Sequence, residues 1–384
     1  MITSPLSNST EVVTPARASR LREAMLNLGL AVTSVLIFLA ICEFFVFRIV
    51  LPGSDVPRNA IVNDVVRYAP GQTGVWRVRD DIAAPFSINA QGWNSPLADY
   101  STERRPGVSR IAFVGDSFVE ALQVPVGMSF VEGVEQAMSG KRPVETYRFA
   151  ISGAPLSQYV QMVEREVARF RPDRIVVLLV HNDFDESFVL RPGRYTSSFL
   201  KFNIANGRFL GELPPDPWRP GALEFLRRTA IARYFLYRWQ VRPQTLADLF
   251  LGPARASDPR YAANIDVGEA LSREADIRVA THHAFARLSA LARRAGASLH
   301  LVMDGDRGAI QADVVSSPAL ALNAIAADTA RAQGLPFLDL HPVFAADWAK
   351  QRQLFDFPSD AHWNAHGHLV AARAITQFLL EPQP

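Results

Sequence analysis

Cysteine is almost absent from this sequence, which has 384 residues and a single cysteine at Cys42. One cysteine cannot form an intrachain disulfide, so the folded part must hold together by burying apolar side chains, and thiol chemistry is excluded beyond residue 42. A large excess of either charge is also missing, because 40 basic residues face 38 acidic ones and the formal net charge is +2. This balance gives no reason to expect nucleic acid as a partner.

The sequence also lacks the histidine spacing that is typical of a zinc hydrolase. Three histidines lie close together near the C-terminus, at His362, His366 and His368. No glutamate follows His362 in a His-Glu-x-x-His pattern, and the first two histidines would share a helix face only if the helix had already begun. We therefore expect no metal and no other cofactor.

One long apolar run is present at residues 25–51, and residues 26–42 within it carry no charge. About 20 apolar residues suffice to cross a bilayer as a helix. Arg17, Arg20 and Arg22 precede the run, so the positive-inside rule keeps the N-terminus in the cytoplasm and exports the rest of the chain. We interpret the run as a signal anchor in the cell membrane, with the bulk of the protein on the periplasmic or extracytoplasmic side.

Three other interpretations of this run fit less well. A cleaved signal peptide has a shorter apolar core, and no Ala-x-Ala site follows. A lipoprotein signal needs a small residue before its cysteine, whereas Ile41 precedes Cys42. A buried core helix rarely reaches this length.

Composition divides the chain into four parts. Residues 1–24 are polar and predict a cytoplasmic tail, and residues 25–51 form the expected anchor. Residues 52–108 mix proline, glycine and asparagine with short alternating pieces, which indicates a linker with a small β element. We expect residues 109–384 to form one large domain.

Short apolar runs and amphipathic stretches alternate from residue 110 onward. The runs predict buried strands at 111–114, 147–151, 174–180, 298–303 and 336–340. The stretches between them predict helices at 128–139, 157–170, 278–294 and 319–333. Such alternation is typical of an α/β fold in which helices cover both faces of a parallel sheet.

Residues 186–275 interrupt the alternation of strands and helices and contain many prolines and aromatic residues. An insertion with one or two amphipathic helices near 222–239 fits best. It would serve either as a lid or substrate wall, or as a structural excursion packed against the sheet edge.

Four polar blocks carry the chemistry. The first three each follow a predicted strand, at 115–118, 151–155 and 180–183, and the fourth opens the last helix at 360–368. Together they resemble the SGNH (GDSL-type) hydrolase superfamily, whose blocks carry Ser, Gly, Asn and His. The resemblance covers roughly residues 60–384 without the insertion, and it implies a three-layer, flavodoxin-like parallel sheet.

The resemblance also assigns roles to individual residues. Ser117 would be the nucleophile, His362 its base and Asp360 the partner that orients the base. The backbone N–H groups of Ser117 and Gly153 and the side-chain amide of Asn182 would form the oxyanion hole. Fixed donors of this kind lower the energy of a tetrahedral acyl intermediate.

Two departures from the family pattern are present. The Asp-x-His spacing at 360–362 replaces the commoner Asp-x-x-His and resembles the Asp-x-His-Trp branch, which includes exported polysaccharide acetyltransferases and acylhydrolases. His181 stands where a glycine is common before the Asn-Asp pair.

The resemblance leaves the function among three alternatives. An ester hydrolase would act on a small acyl ester, a lipid or an acylated polysaccharide. An O-acyltransferase would pass the same acyl group to an envelope polysaccharide. A catalytically inactive binding module on the same fold is the third alternative, and the sequence sets no oligomeric state.

Overall fold

The computed structural model describes residues 16–191, 193, 195–241, 261–263, 265–314 and 316–381. The first 15 residues of the expected cytoplasmic tail and residues 242–260 of the insertion lie outside the described residues. In Ala16–Ile41 and in the short strand Tyr261–Ala262, the side chains of 16–19, 261 and 262 are likewise not described.

A long exposed helix begins the described chain. Helix α1 spans Ala16–Ile41 and continues as π-helical turns through Cys42–Val50. Among the described residues one stretch, Arg20–Val50, is long and apolar enough to cross a membrane, and none of its most apolar window is buried. This exposure excludes a buried core helix, whereas a membrane span and a signal sequence both fit the length and composition.

Two antiparallel hairpins follow this helix. Asn59–Val62 pairs with Val65–Tyr68, and Thr73–Val78 pairs with Ile82–Ser87. Several apolar side chains of this region belong to the same core as the central sheet, among them Val65, Val66, Tyr68, Phe86, Trp93 and Tyr100. The segment expected to be a linker thus supplies part of the main core, and the division of the chain at residue 108 stays a prediction.

The central sheet has five parallel strands. They are β1 Ser109–Gly115, β2 Val144–Ala150, β3 Arg174–Leu179, β4 Ser298–Met303 and β5 Phe337–Asp339. Their spatial order is β2-β1-β3-β4-β5, which is the flavodoxin-like order. The five predicted strands and the expected fold class are therefore confirmed. Four of the strands are mainly apolar because both faces of the sheet are covered, whereas β2 carries the buried polar side chains Glu145, Thr146 and Arg148.

Helices cover both faces of this sheet. They are α2 Ser117–Glu120, α3 Phe130–Ser139, α4 Leu156–Met162, α5 Glu274–Arg294, α6 Leu320–Ala332, α7 His341–Gln351 and α8 Ala365–Leu380. Helix α4 continues as a π-turn and a 3-10 turn through Val163–Val167 and Ala168–Phe170. Ala112 and Val114 of β1 pack with α4, α5 and α6, whereas Ile111 and Phe113 pack with α3, α7 and α8. This alternation follows the two-residue repeat of a strand.

The described part of the insertion packs against the rest of the molecule. Lys201–Ala205 and Arg208–Leu213 form a hairpin, and Phe199 and Phe202 near it enter the main core. Short helices span Ala222–Arg227, Ala230–Ala232 and Val267–Leu271, with a π-turn at Arg233–Arg238. The predicted helices near 222–239 are confirmed, and the hairpin is an element that sequence patterning missed.

The remaining short elements lie near the C-terminal edge of the sheet. They are the helix Arg307–Gln311 and two antiparallel pairs, Tyr261–Ala262 with Ile265–Asp266 and Asp356–Phe357 with Asp360–Trp363. Three-residue 3-10 turns lie at His181–Asp183, Asp185–Ser187 and Thr196–Ser198.

Candidate active site

Ser117 lies at the turn between strand β1 and helix α2, at the C-terminal edge of the sheet. Asp116 caps this helix, because its carboxylate accepts the Phe118 N–H at 3.0 Å. Gly115 is required for close packing, since a Cβ there would lie 2.4 Å from Val119 Cγ2. The turn therefore holds a largely buried serine hydroxyl at the edge where open α/β folds place their sites.

A short hairpin strand brings a histidine to this serine. Asp360–Trp363 pairs with Asp356–Phe357, and His362 Nε2 lies 2.7 Å from Ser117 Oγ. The Asp360 carboxylate accepts the His362 backbone N–H at 2.9 Å and also hydrogen-bonds His362 Nδ1. Two residues apart on a strand, these side chains lie on the same face. The structure thus brings together the three residues that the sequence analysis had placed in a triad.

The electrostatics of this pair suit a base and its partner. Burial opposes a charged imidazole, but the hydrogen bond and negative charge of Asp360 outweigh it and raise the pKa of His362 above its usual value. Burial also opposes a charged carboxylate at Asp360, but its hydrogen bonds to His362 hold that pKa below its usual value. Asp360 is therefore the charged partner that stabilises an imidazolium at His362.

Two backbone N–H groups near Ser117 are open to a ligand. Among the described residues, neither Ser117 N–H nor Gly153 N–H has a hydrogen-bond acceptor. Gly153 has φ of +72°, a left-handed conformation that favours glycine, and the space at its Cβ position is empty to 4 Å.

Asn182 lines a small cavity beside the serine. It is half-buried in the turn after β3, and its side chain hydrogen-bonds the Glu186 carboxylate, which leaves a second amide N–H. The cavity measures about 130 Å³ and is also lined by Phe118 and Ala361, the neighbours of Ser117 and His362. Asn182 thus lines the same cavity as Phe118 and Ala361, whereas Ser117 and His362 are not among its lining residues.

The other polar residues of the third block brace the structure. Asp183 accepts the Val180 N–H at 2.8 Å and the Tyr159 hydroxyl at 2.9 Å. His181 is buried with its Nε2 3.0 Å from Asn323 Oδ1, and burial lowers the pKa of His181. Both side chains are occupied by bonds within the fold.

The remaining clustered histidines also have structural partners. His366 Nε2 lies 2.7 Å from Asp347 Oδ2, and His368 Nδ1 accepts the Phe130 N–H at 3.2 Å. His362, His366 and His368 therefore each bond different partners and do not face a common point. Within the described ranges, no group of three or more His, Cys, Asp or Glu side chains is arranged to hold a metal ion.

Glu120 supports the Gly153 loop, although the sequence analysis did not single it out. It is buried, and its carboxylate accepts the Tyr68 hydroxyl at 2.6 Å, the Ser152 N–H at 3.2 Å and the Ser152 hydroxyl. Burial raises the pKa of Glu120 to about 7. No periodic pattern marks a single acid in a four-residue helix, and its partners lie far away in sequence.

Tyr195 of the insertion orients the same loop from the other side. Its hydroxyl donates to the Ser152 carbonyl at 3.1 Å. The Ser152 carbonyl and the Gly153 N–H belong to one planar peptide unit and point in opposite directions. Holding the carbonyl therefore fixes the direction of the Gly153 N–H.

Arg307 ties the histidine hairpin to the sheet. It bonds Asp356 Oδ1 at 2.5 Å and the Ala361 carbonyl at 2.7 Å, and it pairs with Asp304. Its guanidinium also lies 5.1 Å from the centre of the Phe118 ring. The hairpin that carries His362 is thus fixed to the residue that follows Ser117.

Residues 113–370 match the model of the GDSL-like lipase/acylhydrolase family. The chain belongs to this family. Lipases and acylhydrolases act on ester bonds, so the protein is an ester-cleaving hydrolase of the SGNH (GDSL) type, and the predicted family and enzyme class are confirmed. Among the curated proteins none matches the chain.

Several solved structures resemble the chain, each at low sequence identity and with a TM-score below 0.5. A two-domain esterase active on acetylated mannans is 12% identical with a TM-score of 0.39, over 72% of this chain and 51% of that one. A catalytic mutant of an acetylxylan esterase from Geobacillus stearothermophilus is 12% identical with a TM-score of 0.39, over 72% and 95%. A lipolytic G-D-S-L family protein from Veillonella parvula is 13% identical with a TM-score of 0.35, over 70% and 97%.

Proposed function

We propose that the protein is a serine esterase in which Ser117 attacks the acyl carbonyl of its substrate. His362 takes the serine proton and later returns it to the leaving alcohol, while Asp360 holds the imidazole and stabilises its charged form. Water then releases the acid from the acyl-enzyme. The 2.7 Å distance between Ser117 Oγ and His362 Nε2 carries this proposal.

The oxyanion would be bound by the N–H groups of Ser117 and Gly153 and by the side chain of Asn182. Negative charge develops on the substrate oxygen as the tetrahedral intermediate forms, and donors that are already fixed need not reorganise. The two open backbone N–H groups support this assignment, and so does the position of Asn182, which lines a cavity together with the neighbours of Ser117 and His362.

The substrate carries a short acyl group on a polar alcohol, such as an acetylated sugar. The cavity of about 130 Å³ beside Asn182 is small, and its charged lining includes Arg307, Asp304 and Asp356. Typical sites for larger ligands measure about 300–1,000 Å³ and have mainly apolar walls. A long alkyl chain would leave these charges buried against hydrocarbon, which is unfavourable.

The enzyme acts at a membrane. Helix α1 and its π-helical continuation would serve as a single-pass anchor, with residues 1–24 in the cytoplasm and the catalytic domain on the extracytoplasmic side. The exposed apolar surface of Arg20–Val50 and the arginines before it support this topology. An alkaline phosphatase fusion at the C-terminus tests it, because that enzyme is active only after export.

A comparison of aryl acetate and aryl octanoate tests the chemistry. We expect the acetate to be the better substrate and the Ser117→Ala variant to lose activity on both. A variant as active as an active wild type would reject Ser117 as the nucleophile, and no activity in either protein would favour an inactive binding module. Added saccharide acceptors separate hydrolysis from transfer: faster turnover with acylated saccharide as product would assign the same site to an O-acyltransferase.

A further inference from the structure

A short helical segment beside the N-terminal helix exposes an unusually apolar surface. This segment, residues 222–238, is called the collar here and comprises the helices Ala222–Arg227 and Ala230–Ala232 and the π-turn Arg233–Arg238. Five of its large apolar side chains are 42–69% exposed, and they are Leu223, Phe225, Leu226, Phe235 and Leu236. Such a concentration of exposed apolar side chains marks an interaction surface.

The collar is fixed to the C-terminal end of the long helix. The Glu43 carboxylate accepts the N–H groups of Ala230 at 2.8 Å and Ile231 at 3.1 Å. The Phe47 ring lies 4.9 Å from the Tyr234 ring and 5.5 Å from the Phe235 ring, measured between centroids. The position of the collar along the helix is therefore set at the level of Glu43.

That level corresponds to the outer boundary of a bilayer. The helix Arg20–Val50 has 31 residues, or about 45 Å at 1.5 Å per residue, whereas the hydrocarbon core is about 30 Å thick. If the hydrocarbon core of the bilayer begins just after Arg22, roughly the next 20 residues span its thickness of about 30 Å and end at Glu43. The collar then meets the outer leaflet where acyl chains give way to headgroups.

An open apolar groove of about 540 Å³ lies between the collar and the long helix. It is lined by Leu39, Ala40, Leu226, Ile231, Phe235 and Leu236. Leu39 and Ala40 belong to the apolar run itself, so the groove continues the surface that the anchor presents to lipid.

Cationic side chains surround this apolar surface. Arg48, Arg227 and Arg228 are exposed, and the Arg228 guanidinium lies 5.5 Å from the centre of the Phe225 ring. Interfacial helices commonly place arginines at phosphate groups while their apolar side chains enter the acyl region. The pattern fits a lipid surface better than the apolar face of another protein.

We propose that the collar inserts into the outer leaflet and that phospholipid acyl chains occupy its groove. The inference rests on the proposed membrane anchoring. Arg233 donates to the Ser54 carbonyl at 2.7 Å and Arg238 donates to the Pro52 carbonyl at 2.9 Å, so the collar is joined to the chain that leaves the anchor. The catalytic domain is thereby held against the membrane surface and does not swing on a free linker.

Quenching by spin-labelled lipids tests the proposal in the full-length protein. In a Cys42→Ser background, single substitutions Leu226→Cys, Leu236→Cys, Leu30→Cys and Arg331→Cys receive a fluorophore that responds to its environment. The proteins are reconstituted in phosphatidylcholine–phosphatidylglycerol vesicles that contain lipids with a spin label near the headgroup or deep in the acyl chain. Hydrolysis of a soluble aryl acetate checks that each variant is folded.

We expect both collar labels to be quenched by the shallow spin label, the Leu30 label by the deep one, and the exposed Arg331 label by neither. Collar labels that behave like the Arg331 label while the Leu30 label is quenched would overturn the collar proposal and leave the anchor intact. Loss of quenching at Leu30 would overturn the anchor and the collar together. Collar labels shielded only at high protein density would assign the groove to a second copy of the chain, which also overturns a lipid occupant.

Discussion

The catalytic edge of the sheet and the collar join distant parts of the chain by opposite means. At the catalytic edge, buried charges and short hydrogen bonds connect Ser117, Glu120 and Arg307 to their partners. At the collar, half-buried aromatic rings pack against the end of the long helix, Arg233 bonds the chain just beyond it, and the outer surface is apolar and exposed. Polar bonds shielded from water are strong and directional, whereas an exposed apolar surface gains its energy from what covers it. Changes at the edge should therefore alter rate and stability, and changes at the collar should alter location.

The largest loss of activity is expected at the catalytic edge, for the substitution Asp360→Asn. Loss of the charge that stabilises the His362 imidazolium should lower kcat by about 10³–10⁴-fold. Activity requires neutral His362 and so rises with pH through its pKa. Because Asp360 holds that pKa above the usual value, the substitution should move the acid limb of the kcat profile to lower pH. An acid limb that moves upward or stays in place would contradict the pairing.

Glu120→Gln should change how stability depends on pH. Burial raises the pKa of Glu120 from 4.5 to about 7. The folded state is therefore stabilised while Glu120 is protonated, and the wild-type protein loses this stabilisation as pH rises from about 4.5 to about 7. Glutamine does not ionise, and the free energy of unfolding of the variant relative to wild type should rise by up to about 3 kcal/mol over that window. Urea unfolding at several pH values measures this, with the exposed Glu103→Gln as control. Parallel curves for wild type and Glu120→Gln would contradict a buried, titrating Glu120.

Tyr195→Phe should reduce kcat about fivefold with little change in KM, since one neutral hydrogen bond contributes about 1 kcal/mol. The hydroxyl orients the Gly153 N–H, which is needed when charge develops in the transition state. Tyr237→Phe, a substitution elsewhere in the insertion, is the matched control and should leave kcat unchanged. Equal effects of the two substitutions, or a rise in KM alone, would show that Tyr195 has no part in orienting the loop.

The smallest effect on catalysis is expected at the collar. The double substitution Leu226→Asn and Leu236→Asn should change kcat/KM for a soluble aryl acetate less than twofold, because neither side chain lies near Ser117. Release of the protein from vesicles by mild detergent should become easier. A large loss of activity on the soluble ester would show that the collar and the catalytic edge are coupled, which would contradict their separate roles.

Much of the fold was predictable because its signals are local. Most of the sheet strands are short apolar runs followed by glycine or polar residues, and burial on both faces makes such runs continuous; β2, with Glu145 and Arg148, is the least regular of the five. The hairpin 201–213 was not predicted, although Asn206-Gly207 is a strong turn signal. The many prolines around it are typical of a loop-rich insertion, and they outweighed that signal.

The candidate site was predictable only in part. Ser117, Gly153, Asn182, Asp360 and His362 were expected because the four blocks resemble those of the SGNH superfamily in residue type and order. Glu120 and Tyr195 escaped prediction, since an isolated polar residue has no periodicity and its importance arises from a partner distant in sequence. A sequence shows which residues carry the chemistry more readily than which residues hold them in place.

Active-site trapping tests the central claim most directly. The purified protein is treated with a fluorophosphonate, and the modified peptide is identified by mass spectrometry for wild type, Ser117→Ala and His362→Ala. The account predicts one phosphonate on Ser117 in wild type, none in Ser117→Ala, and labelling slowed by several orders of magnitude in His362→Ala. Modification of a different serine, or undiminished labelling of Ser117→Ala, would contradict the assignment of Ser117 as the nucleophile.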